Sequence, residues 1–404
     1  MTAAASTVSL RHWPGRVIAL ASAAALVAVV AGAVAVHLVT GEFWGDLDVL
    51  RSSAAIAAGG DGAVYRTVFS SGGGVEYGFT YPPFAALLLQ PLAGTGMAIA
   101  IGWWTLASVL ALLAAVWVTL RAAGVPADRR VVPALAATAA ALPMFAVSGH
   151  LQTGQVGAFL MLLVLADLTG DPRRWWYGLG TGIAAGIKLT PLIFVAYLVV
   201  TGRIRAAATA MAGFAATIAI GFVWRPADSR WYWSGGLFEA SRVTEDPRTI
   251  LNQSLRGAVA RLADVGDPGT AWLLAAAVVG VTGLAIAAWC ARAGEPLLGL
   301  FACATTGLLV SPISWHHHWI WVVPVLVLLA VRAWRRRDRA GLAAIALVWL
   351  VFVAGTTWVL AGIQGWDLHF RGWGLVYSNL YVLVGLAALI GLALHLRRSR
   401  ARPG

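Results

Sequence analysis

Long hydrophobic runs, separated by short polar segments, follow one another along almost the whole chain. Many of these runs approach the ~20 residues that a helix needs to cross a bilayer. In lipid they must be helical, because each backbone polar group needs a partner inside the protein. The pattern predicts an all-α polytopic membrane protein with about twelve transmembrane helices. They fall at residues 17–39, 97–120, 131–147, 155–169, 176–187, 190–201, 206–223, 270–292, 295–311, 318–333, 340–361 and 373–395.

The composition excludes a soluble globular protein. Hydrophobic residues make up 60% of the 404 positions and charged residues only 11%, which is typical of a membrane protein. The first run, Val17 to Leu38, is longer than the core of a secretory signal peptide and has no convincing small-residue cleavage site, so we interpret it as a retained span. We expect residues 1–404 to form a single integral membrane domain.

The positions of the arginines predict the topology. If the N-terminus is cytoplasmic, the inner connections contain 19 of the 29 basic residues. The outer segments, which include long loops at 40–96 and 224–269, contain the other ten. An excess of basic residues on the cytoplasmic side is the positive-inside rule, so both termini are predicted to be cytoplasmic. Because topology explains most of the net charge of +12, we do not expect nucleic acid as a partner.

Two segments are too short to cross a bilayer alone. Pro82 to Ala93 is short and mostly apolar, and it predicts a re-entrant or interfacial helix on the outer side. A second apolar stretch is interrupted at Lys188-Leu189-Thr190-Pro191, which places a lysine and a helix break near the outer surface. Broken helices are tolerated in membranes where they line a cavity. We therefore expect the function to lie on the outer face.

Polar and ionisable residues, which are otherwise rare, converge on this outer face. Ionisable groups at a membrane boundary are costly and usually have a function. A carboxylate such as Asp46 or Asp48 can take a proton from a hydroxyl group, and Lys188, Arg256 and the histidines can pair with a phosphate. The other members of this set are Tyr81, His150, Gln155, Asn252, Gln253, Trp315, His316, His317 and His318.

Simpler interpretations exist for single residues. His150 and Asn252 have the pattern of caps or hydrogen-bonded loop residues, and Asp167, near an inner helix end, is predicted to be structural. The tryptophans also fit an interfacial aromatic belt. The histidine run 316–318 could bind a metal, but consecutive helical side chains point about 100° apart and cannot all face one ion. For the same reason we do not expect Asp46 and Asp48 to act as a pair.

Six short motifs occur in a fixed order, and together they resemble glycosyltransferase family 87, the polyprenol-phosphate-mannose-dependent mannosyltransferases of actinobacteria. The resemblance covers nearly the whole chain and rests on all six motifs in register. They are Asp46-Leu47-x-Val49, Phe79-Thr80-Tyr81-Pro82-Pro83, Gly154-Gln155, Lys188-Leu189-Thr190-Pro191, Asn252-Gln253-Ser254-x-Arg256-Gly257 and Ser311-Pro312-Ile313-Ser314-Trp315-x-His317-His318-Trp319. Leu50 and Gly157 depart from the usual family residues.

The resemblance implies a GT-C-type fold with its active site on the periplasmic face of the plasma membrane. It implies an inverting α-mannosyltransferase that needs no metal or nucleotide sugar, with Asp46 as the base. His317 or His318 would share the catalytic site. The donor would be polyprenyl-phosphate-mannose, and the acceptor a mannosylated glycolipid of the phosphatidylinositol mannoside type, both drawn from membrane lipids. The residues predicted to bind the donor phosphate or substrate are Lys188, Arg256, Tyr81, Gln155, Asn252, Gln253 and Trp315.

Other functions are compatible with parts of this pattern. Within the same enzyme class, the acceptor could be lipomannan or lipoarabinomannan, branched by an α-1,2-mannosyltransferase, or the donor could carry another sugar. A lipid transporter or flippase would need ionisable groups near the bilayer midplane and repeat symmetry, neither of which the sequence shows. A non-catalytic scaffold would not need the aspartate, the lysine and the histidines together.

Overall fold

The structure is a computed structural model that describes residues 13–40, 45–70, 76–238, 246–362 and 369–400. Nineteen α-helices account for most of these residues, since apolar segments in lipid satisfy their backbone internally. The helices are α1 (Trp13–Thr40), α2 (Asp46–Gly59), α3 (Pro83–Leu88), α4 (Gln90–Ala93), α5 (Met97–Ala122), α6 (Val131–Ala141), α7 (Phe145–Thr153), α8 (Gly157–Leu168), α9 (Leu179–Ile187), α10 (Leu192–Val200), α11 (Ile204–Trp224), α12 (Pro226–Ser234), α13 (Leu255–Ala263), α14 (Gly269–Arg292), α15 (Pro296–Val310), α16 (Val322–Arg336), α17 (Arg339–Gly362), α18 (Trp373–Ser378) and α19 (Leu380–Arg400).

Three 3-10 helices, Ala127–Arg129, Gly236–Phe238 and His316–Trp321, complete the helical structure of the described residues. The strands β1 (Val68–Ser70) and β2 (Glu76–Gly78) form an antiparallel pair. Two of the 19 basic residues predicted on the cytoplasmic side, Arg11 and Arg402, lie outside the described part of the chain. Positions 41–44, 71–75 and 239–245 of the predicted outer loops lie outside it as well.

Helix is present in each of the twelve segments predicted as spans, which confirms a multi-pass, all-α membrane protein. In the described part of the chain, six helices are each long and apolar enough to cross a membrane alone. A seventh span results if α6 and α7, bent by 79° relative to each other, are taken together. Four of the other predicted spans, at 155–169, 176–187, 190–201 and 295–311, correspond to helices of 15 residues or fewer, so the number twelve stays a prediction.

Two predicted helices are divided in the structure. The prediction for 131–147 ran through Pro143, but α6 ends at Ala141 and α7 begins at Phe145. Proline cannot donate the backbone bond that an uninterrupted helix needs, which explains this break. The segment predicted at 373–395 is divided at Asn379 into α18 and α19.

Close packing of α9 against α11 positions the predicted helix break. Gly182 and Gly186 of α9 lie so close to α11 that an added Cβ would overlap Ala210 or Thr217. Small residues four positions apart let two membrane helices approach closely. The α9 helix ends at Ile187 and α10 begins at Leu192, which confirms the predicted break.

At the opposite end of α9, Asp167 accepts hydrogen bonds from the backbone N–H groups of Gly178 and Thr181, at 2.8 and 2.9 Å. It also accepts one from the Thr181 hydroxyl, at 2.8 Å. These bonds satisfy N–H groups at a helix start that have no partner within the helix. The structural role predicted for Asp167 is therefore confirmed.

Segments connecting the longer helices also pack against one another and against the main core. Arg225 is buried and pairs with Asp228 at 3.1 Å and with Asp61 at 3.8 Å. The ring of Tyr65 stacks on that of Trp231, with centroids 4.9 Å apart. These contacts join the chain after α2 to α12. The short segment predicted at 82–93 consists of α3 and α4, which are separated at Leu89.

Candidate active site

Asp46 begins α2, and two glycines bring it against the end of α7. Gly45 has φ 46° and Gly154 has φ 71°, both in the left-handed region that favours glycine. A Cβ added to Gly154 would overlap Leu47. The first turn of α2 therefore packs directly on the α7–α8 turn, which carries Gln155.

Gln155 connects Asp46 to Tyr81. Its Nε2 donates a hydrogen bond to Oδ2 of Asp46, and its Oε1 accepts one from the Tyr81 hydroxyl at 3.3 Å. Tyr81 is itself held by Tyr65, whose hydroxyl donates to the Tyr81 carbonyl oxygen at 2.7 Å. Both Gln155 and Tyr81 are buried. The hydroxyl of Tyr81 fixes the orientation of the Gln155 amide, and the amide in turn orients the carboxylate of Asp46.

Lys188 follows the last residue of α9 and lies between an aromatic ring and a histidine. Its Nζ is 5.0 Å from the centroid of the Tyr81 ring and 3.2 Å from Nε2 of His318. An ammonium group can only donate, so His318 accepts through Nε2 and carries its proton on Nδ1. The ammonium group of Lys188 therefore lies close enough to Asp46 to interact with its charge. In the described part of the chain, the two side chains do not form a direct ion pair.

The environment of Asp46 changes its acidity. Burial raises the pKa of Asp46 from 3.8 to about 6, although the charge of Lys188 and hydrogen bonds from its own backbone N–H and Gln155 oppose this rise. The residue keeps some solvent exposure, so a ligand can reach it. A carboxylate with a pKa near 6 is ionised at neutral pH and is a stronger base than an ordinary aspartate.

The three consecutive histidines lie in the 3-10 helix His316–Trp321 and have different surroundings. His316 stacks on Phe145, with ring centroids 4.0 Å apart. His317 is buried, and neither of its ring nitrogens has a hydrogen-bond partner in the described chain. His318 contacts Lys188. Adjacent rings are nearly perpendicular, at 77° and 82°, as expected for neighbouring side chains on a helix.

His150, which the sequence indicated as a cap, has a different role in the structure. The ring is buried, and both of its nitrogens lack a hydrogen-bond partner among the described residues. The backbone carbonyl of His150, not its ring, accepts from the Gln155 N–H at 3.1 Å. Buried polar groups normally have partners, so the two unpaired nitrogens of this ring, like those of His317, set it apart from the other buried polar side chains of the site. In the sequence, the position of His150 near the end of an apolar segment indicated a functional residue at the membrane boundary.

Asn252 joins the loop after α12 to the segment before the histidines. Its Oδ1 accepts from the Ser314 backbone N–H at 3.0 Å, and its Nδ2 donates to the Pro247 carbonyl at 3.2 Å. A single β-bridge pairs Asn252 with Trp315. The side chain predicted to contact substrate is thus used within the protein, where it holds the two motifs together.

Gln253 likewise has its hydrogen-bonding groups occupied. Its Nε2 donates to the carbonyls of Ile250 and Ser378, at 2.6 and 2.7 Å, and its Oε1 accepts from the Tyr381 N–H at 3.2 Å. The Trp319 indole donates to the Gln253 carbonyl at 3.1 Å. Gln253 therefore connects the histidine segment to the α18–α19 break, and its predicted contact with substrate stays a prediction.

Helix α13 carries two arginines with contrasting environments. Arg256 is half-buried and has no hydrogen bond or ion pair to a described residue, which leaves its guanidinium available to an anion. Arg261, which sequence reasoning missed, is almost fully buried and donates to Asn379 Oδ1 at 2.7 and 3.2 Å. It also donates to the carbonyls of Thr249 and Asn252, at 2.9 and 3.0 Å.

We expect Arg261→Met to lower the thermal midpoint of the purified protein by several degrees, while Arg256→Met leaves it nearly unchanged. The first variant leaves Asn379 and backbone carbonyls unpaired, and each buried unpaired group costs about 1–3 kcal/mol. Burial lowers the pKa of Arg261 to about 9, because moving the charged guanidinium out of water costs free energy. Methionine does not have this cost, which offsets part of the lost stability. Thermal unfolding in one detergent measures both variants, and equal midpoints would contradict this structural role for Arg261.

A cavity beside Lys188 has both polar and apolar walls. Lys188, His318 and Ser314 contribute polar groups, and Phe194 and Trp321 contribute apolar side chains. A cation and hydroxyl groups beside apolar side chains suit a ligand with an anionic head and a hydrocarbon tail. In the described part of the chain, no group of three or more His, Cys, Asp or Glu is arranged to hold a metal ion.

Fold and site together define a class of protein. A multi-pass membrane protein with a proton acceptor, a cation and an adjoining apolar cavity has the groups needed for transfer chemistry on lipid-bound substrates. The family model of glycosyltransferase family 87 matches residues 79–312. This is more than half of the chain, which belongs to glycosyltransferase family 87 and is a glycosyltransferase.

Several curated proteins are similar over most of their length. The chain is 36% identical over 330 residues to a polyprenol-phosphate-mannose-dependent alpha-(1-2)-phosphatidylinositol pentamannoside mannosyltransferase of Mycobacterium tuberculosis, covering 80% of this chain and 75% of the relative. A protein of the same description from Mycolicibacterium smegmatis is 33% identical over 345 residues, with coverages of 83% and 81%.

A third relative, a polyprenol-phosphate-mannose-dependent alpha-(1-2)-phosphatidylinositol mannoside mannosyltransferase of Mycobacterium tuberculosis, is 34% identical over 315 residues. The alignment covers 74% of this chain and 71% of the relative. No solved structure matches the chain significantly.

Proposed function

We propose that the protein transfers mannose from polyprenyl-phosphate-mannose to a mannosylated glycolipid of the phosphatidylinositol mannoside type, forming an α-(1-2) linkage. Supporting this, Asp46, with its raised pKa, feels the charge of Lys188, and Lys188 contacts His318 and lines with it a cavity that also has apolar walls. The names of the relatives support the donor, the acceptor class and the linkage. We further propose a GT-C-type fold, about twelve spans in one domain and an active site on the periplasmic face of the plasma membrane.

The reaction begins with proton removal. Asp46 takes the proton from an acceptor hydroxyl, and that oxygen attacks the anomeric carbon of the donor mannose. The bond between this carbon and the phosphate oxygen breaks as the new bond forms. Both electrons of the broken bond leave with the polyprenyl phosphate, and the proton stays on Asp46. Attack on the face opposite the leaving group converts a β-linked donor to an α-linked product.

Cationic side chains stabilise the leaving phosphate. Lys188 and Arg256 provide positive charge, and His318 or His317 provides a hydrogen bond to the phosphate oxygens. These groups take the part that a metal ion has in other glycosyl transfers, so we propose that no metal or nucleotide sugar is needed. Tyr81 and Gln155 position Asp46, and Trp315 offers an aromatic surface beside the histidines.

Transfer by the purified protein tests this function. With polyprenyl-phosphate-mannose and purified phosphatidylinositol mannosides in nanodiscs, we expect a product one hexose heavier by mass spectrometry. GDP-mannose should not replace the donor, and a chelator should not change the rate. A strain lacking the gene should accumulate the acceptor one mannose short. Accumulation of unbranched lipomannan instead would favour the alternative acceptor, and lipid movement across vesicles without transfer would favour a flippase.

The raised pKa of Asp46 predicts a pH dependence. Only the ionised carboxylate accepts a proton, so kcat/KM should rise about tenfold per pH unit below pH ~6 and level off above it. Initial rates between pH 5 and 8 in one buffer mixture measure this. The Asp48→Asn variant should show the same profile. A flat profile from pH 5 to 7 would exclude Asp46 as the titrating base.

A further inference from the structure

A polar cavity of about 260 Å³ lies at the end of α9 opposite Lys188. The last turn of α5 and the segment that joins α8 to α9 form its walls. Nine residues of α9 separate this cavity from Lys188, which at the rise of an α-helix is a distance of about 14 Å. The cavity is therefore distinct from the candidate active site.

Three charged side chains around this cavity, Arg121, Arg174 and Asp171, form no ion pair within the described part of the chain. Arg121 donates a long hydrogen bond to the Thr169 hydroxyl, at 3.4 Å. Asp171 accepts a hydrogen bond from the backbone N–H of Arg173, at 3.0 Å. Guanidinium groups and a carboxylate thus border one space without neutralising each other, so both signs of charge are available to a ligand.

The balance of charge in the lining favours a ligand that carries both signs. Asp167 also lines the cavity, but its carboxylate already accepts three hydrogen bonds at the start of α9. The Arg174 guanidinium lies over the Trp176 ring, 5.1 Å from its centroid, and such stacking leaves its N–H groups free to donate. With two arginines and two aspartates, the lining has no net charge, which is complementary to a zwitterion rather than to a simple anion.

Neighbouring side chains place the cavity at the level of lipid headgroups. Trp175 is 74% exposed, and exposed tryptophans are typical of the boundary between hydrocarbon and water. Arg205 donates to the backbone carbonyls of Pro172 and Arg174, at 2.7 and 3.3 Å. Together with Arg121, these contacts bring basic residues of three predicted cytoplasmic connections to one place. With the predicted topology, the cavity faces the inner leaflet.

We propose that this cavity binds the headgroup of a zwitterionic aminophospholipid, such as phosphatidylethanolamine, from the cytoplasmic leaflet. Arg121 and Arg174 bind the phosphate, and Asp171 binds the ammonium group. Basic pockets between membrane helices on the cytoplasmic side are known to bind lipid headgroups. The volume is below the roughly 300–1,000 Å³ of pockets for drug-sized ligands, so it fits a headgroup rather than a nucleotide.

Native mass spectrometry of the full-length protein, titrated in detergent with single lipids, tests this site. We expect phosphatidylethanolamine to bind about fivefold more tightly than phosphatidylglycerol, which has the phosphate but no ammonium group; this is the scale of one exposed ion pair. Arg174→Met should weaken the binding of both lipids, and Asp171→Asn should abolish the preference between them. Equal or tighter binding of phosphatidylglycerol by the wild type, or unchanged binding by Arg174→Met, would overturn the proposal.

Arg129→Met and Asp128→Asn are the matched controls. Both residues are exposed on the same predicted cytoplasmic face, their side chains are 3.7 Å apart, and neither lines the cavity. Each control removes the same charge as its partner variant, so both lipids should bind as they do to the wild type. Equal losses for Arg129→Met and Arg174→Met would show a general effect of surface charge and would contradict a specific site.

Two measurements on the wild type need no variant. An excess of inorganic phosphate should not displace phosphatidylethanolamine, because the hydrocarbon chains add to the binding of the lipid; displacement would indicate a site for free phosphate instead. Phosphatidylethanolamine with a diazirine beside its glycerol should label peptides from residues 121–130 and 166–178. Labelling confined to other segments would overturn the proposal even if Arg174→Met and Asp171→Asn failed to fold.

Discussion

Asp46→Asn should reduce kcat/KM by about 10²–10⁴, which is the usual contribution of a general base. Asparagine has nearly the same shape and keeps an oxygen that can accept from Gln155, but it cannot take a proton from the acceptor. Binding of the donor should persist, because Lys188 is unchanged. Initial rates and donor binding, measured in the same nanodiscs, separate the two effects.

The loss of activity should not come from unfolding. The pKa of Asp46 is about 6 in the folded protein, above the ordinary value of 3.8. Between these two pH values, the folded protein binds more protons at Asp46 than the unfolded protein does. The free energy of unfolding therefore falls as the pH rises. The ionised carboxylate therefore destabilises the fold at neutral pH, and Asp46→Asn should raise the thermal midpoint at pH 7.5.

Asp48→Asn is the control for charge in the same helical turn. Asp48 follows Asp46 by two positions and faces a different direction, so this variant should keep most of the wild-type rate. If Asp48→Asn lost as much activity as Asp46→Asn, the assignment of the base to one aspartate would be wrong.

Lys188→Met should reduce kcat by about 10²–10³, a range typical of losing one preorganised charge-stabilising group. Methionine keeps much of the apolar length of lysine but cannot neutralise the leaving phosphate. The KM for the donor should rise as well, while the KM for the acceptor should change little, because the cation acts on the donor phosphate. Steady-state kinetics with each substrate varied in turn measure this pattern.

Two variants control for charge and for shape. Arg230 is exposed on α12, so Arg230→Met removes one positive charge from a solvent-exposed position and should leave the rates unchanged. Lys188→Arg keeps the charge and should restore part of the activity, although the planar guanidinium does not reproduce the contact with His318. Equal rates for Lys188→Met and the wild type would remove Lys188 from the mechanism.

The hydrophobic runs located the helices well where a single helix continues through the whole run. The spans predicted at 97–120 and 206–223 correspond to α5 and α11 with ends shifted by two residues or fewer. The prediction failed where a helix breaks inside an apolar run. Pro143 was a local signal for the α6–α7 bend, whereas the α18–α19 break depends on Gln253 and Arg261, which reach it from other segments.

Local patterns could not tell apart polar residues of the same kind. Arg256 and Arg261 lie on one helix five positions apart, and the sequence favoured the first because it belongs to a motif. Only the packing of α13 shows that Arg261 is the buried one and that it holds Asn379. Asn252 and Gln253 stay predicted to bind substrate, and only the structure shows that their amides also join loops, because partners from distant segments approach them.

The sequence by itself determined that this is a polytopic membrane enzyme of family 87 and that its motif residues belong together. Composition and motif order are properties of the chain, so they need no structure. Only the tertiary structure decided which groups meet. Asp46 meets Gln155 across 109 positions, and Lys188 meets His318 across 130. Such contacts depend on how helices pack, and packing is set by side chains from many segments at once.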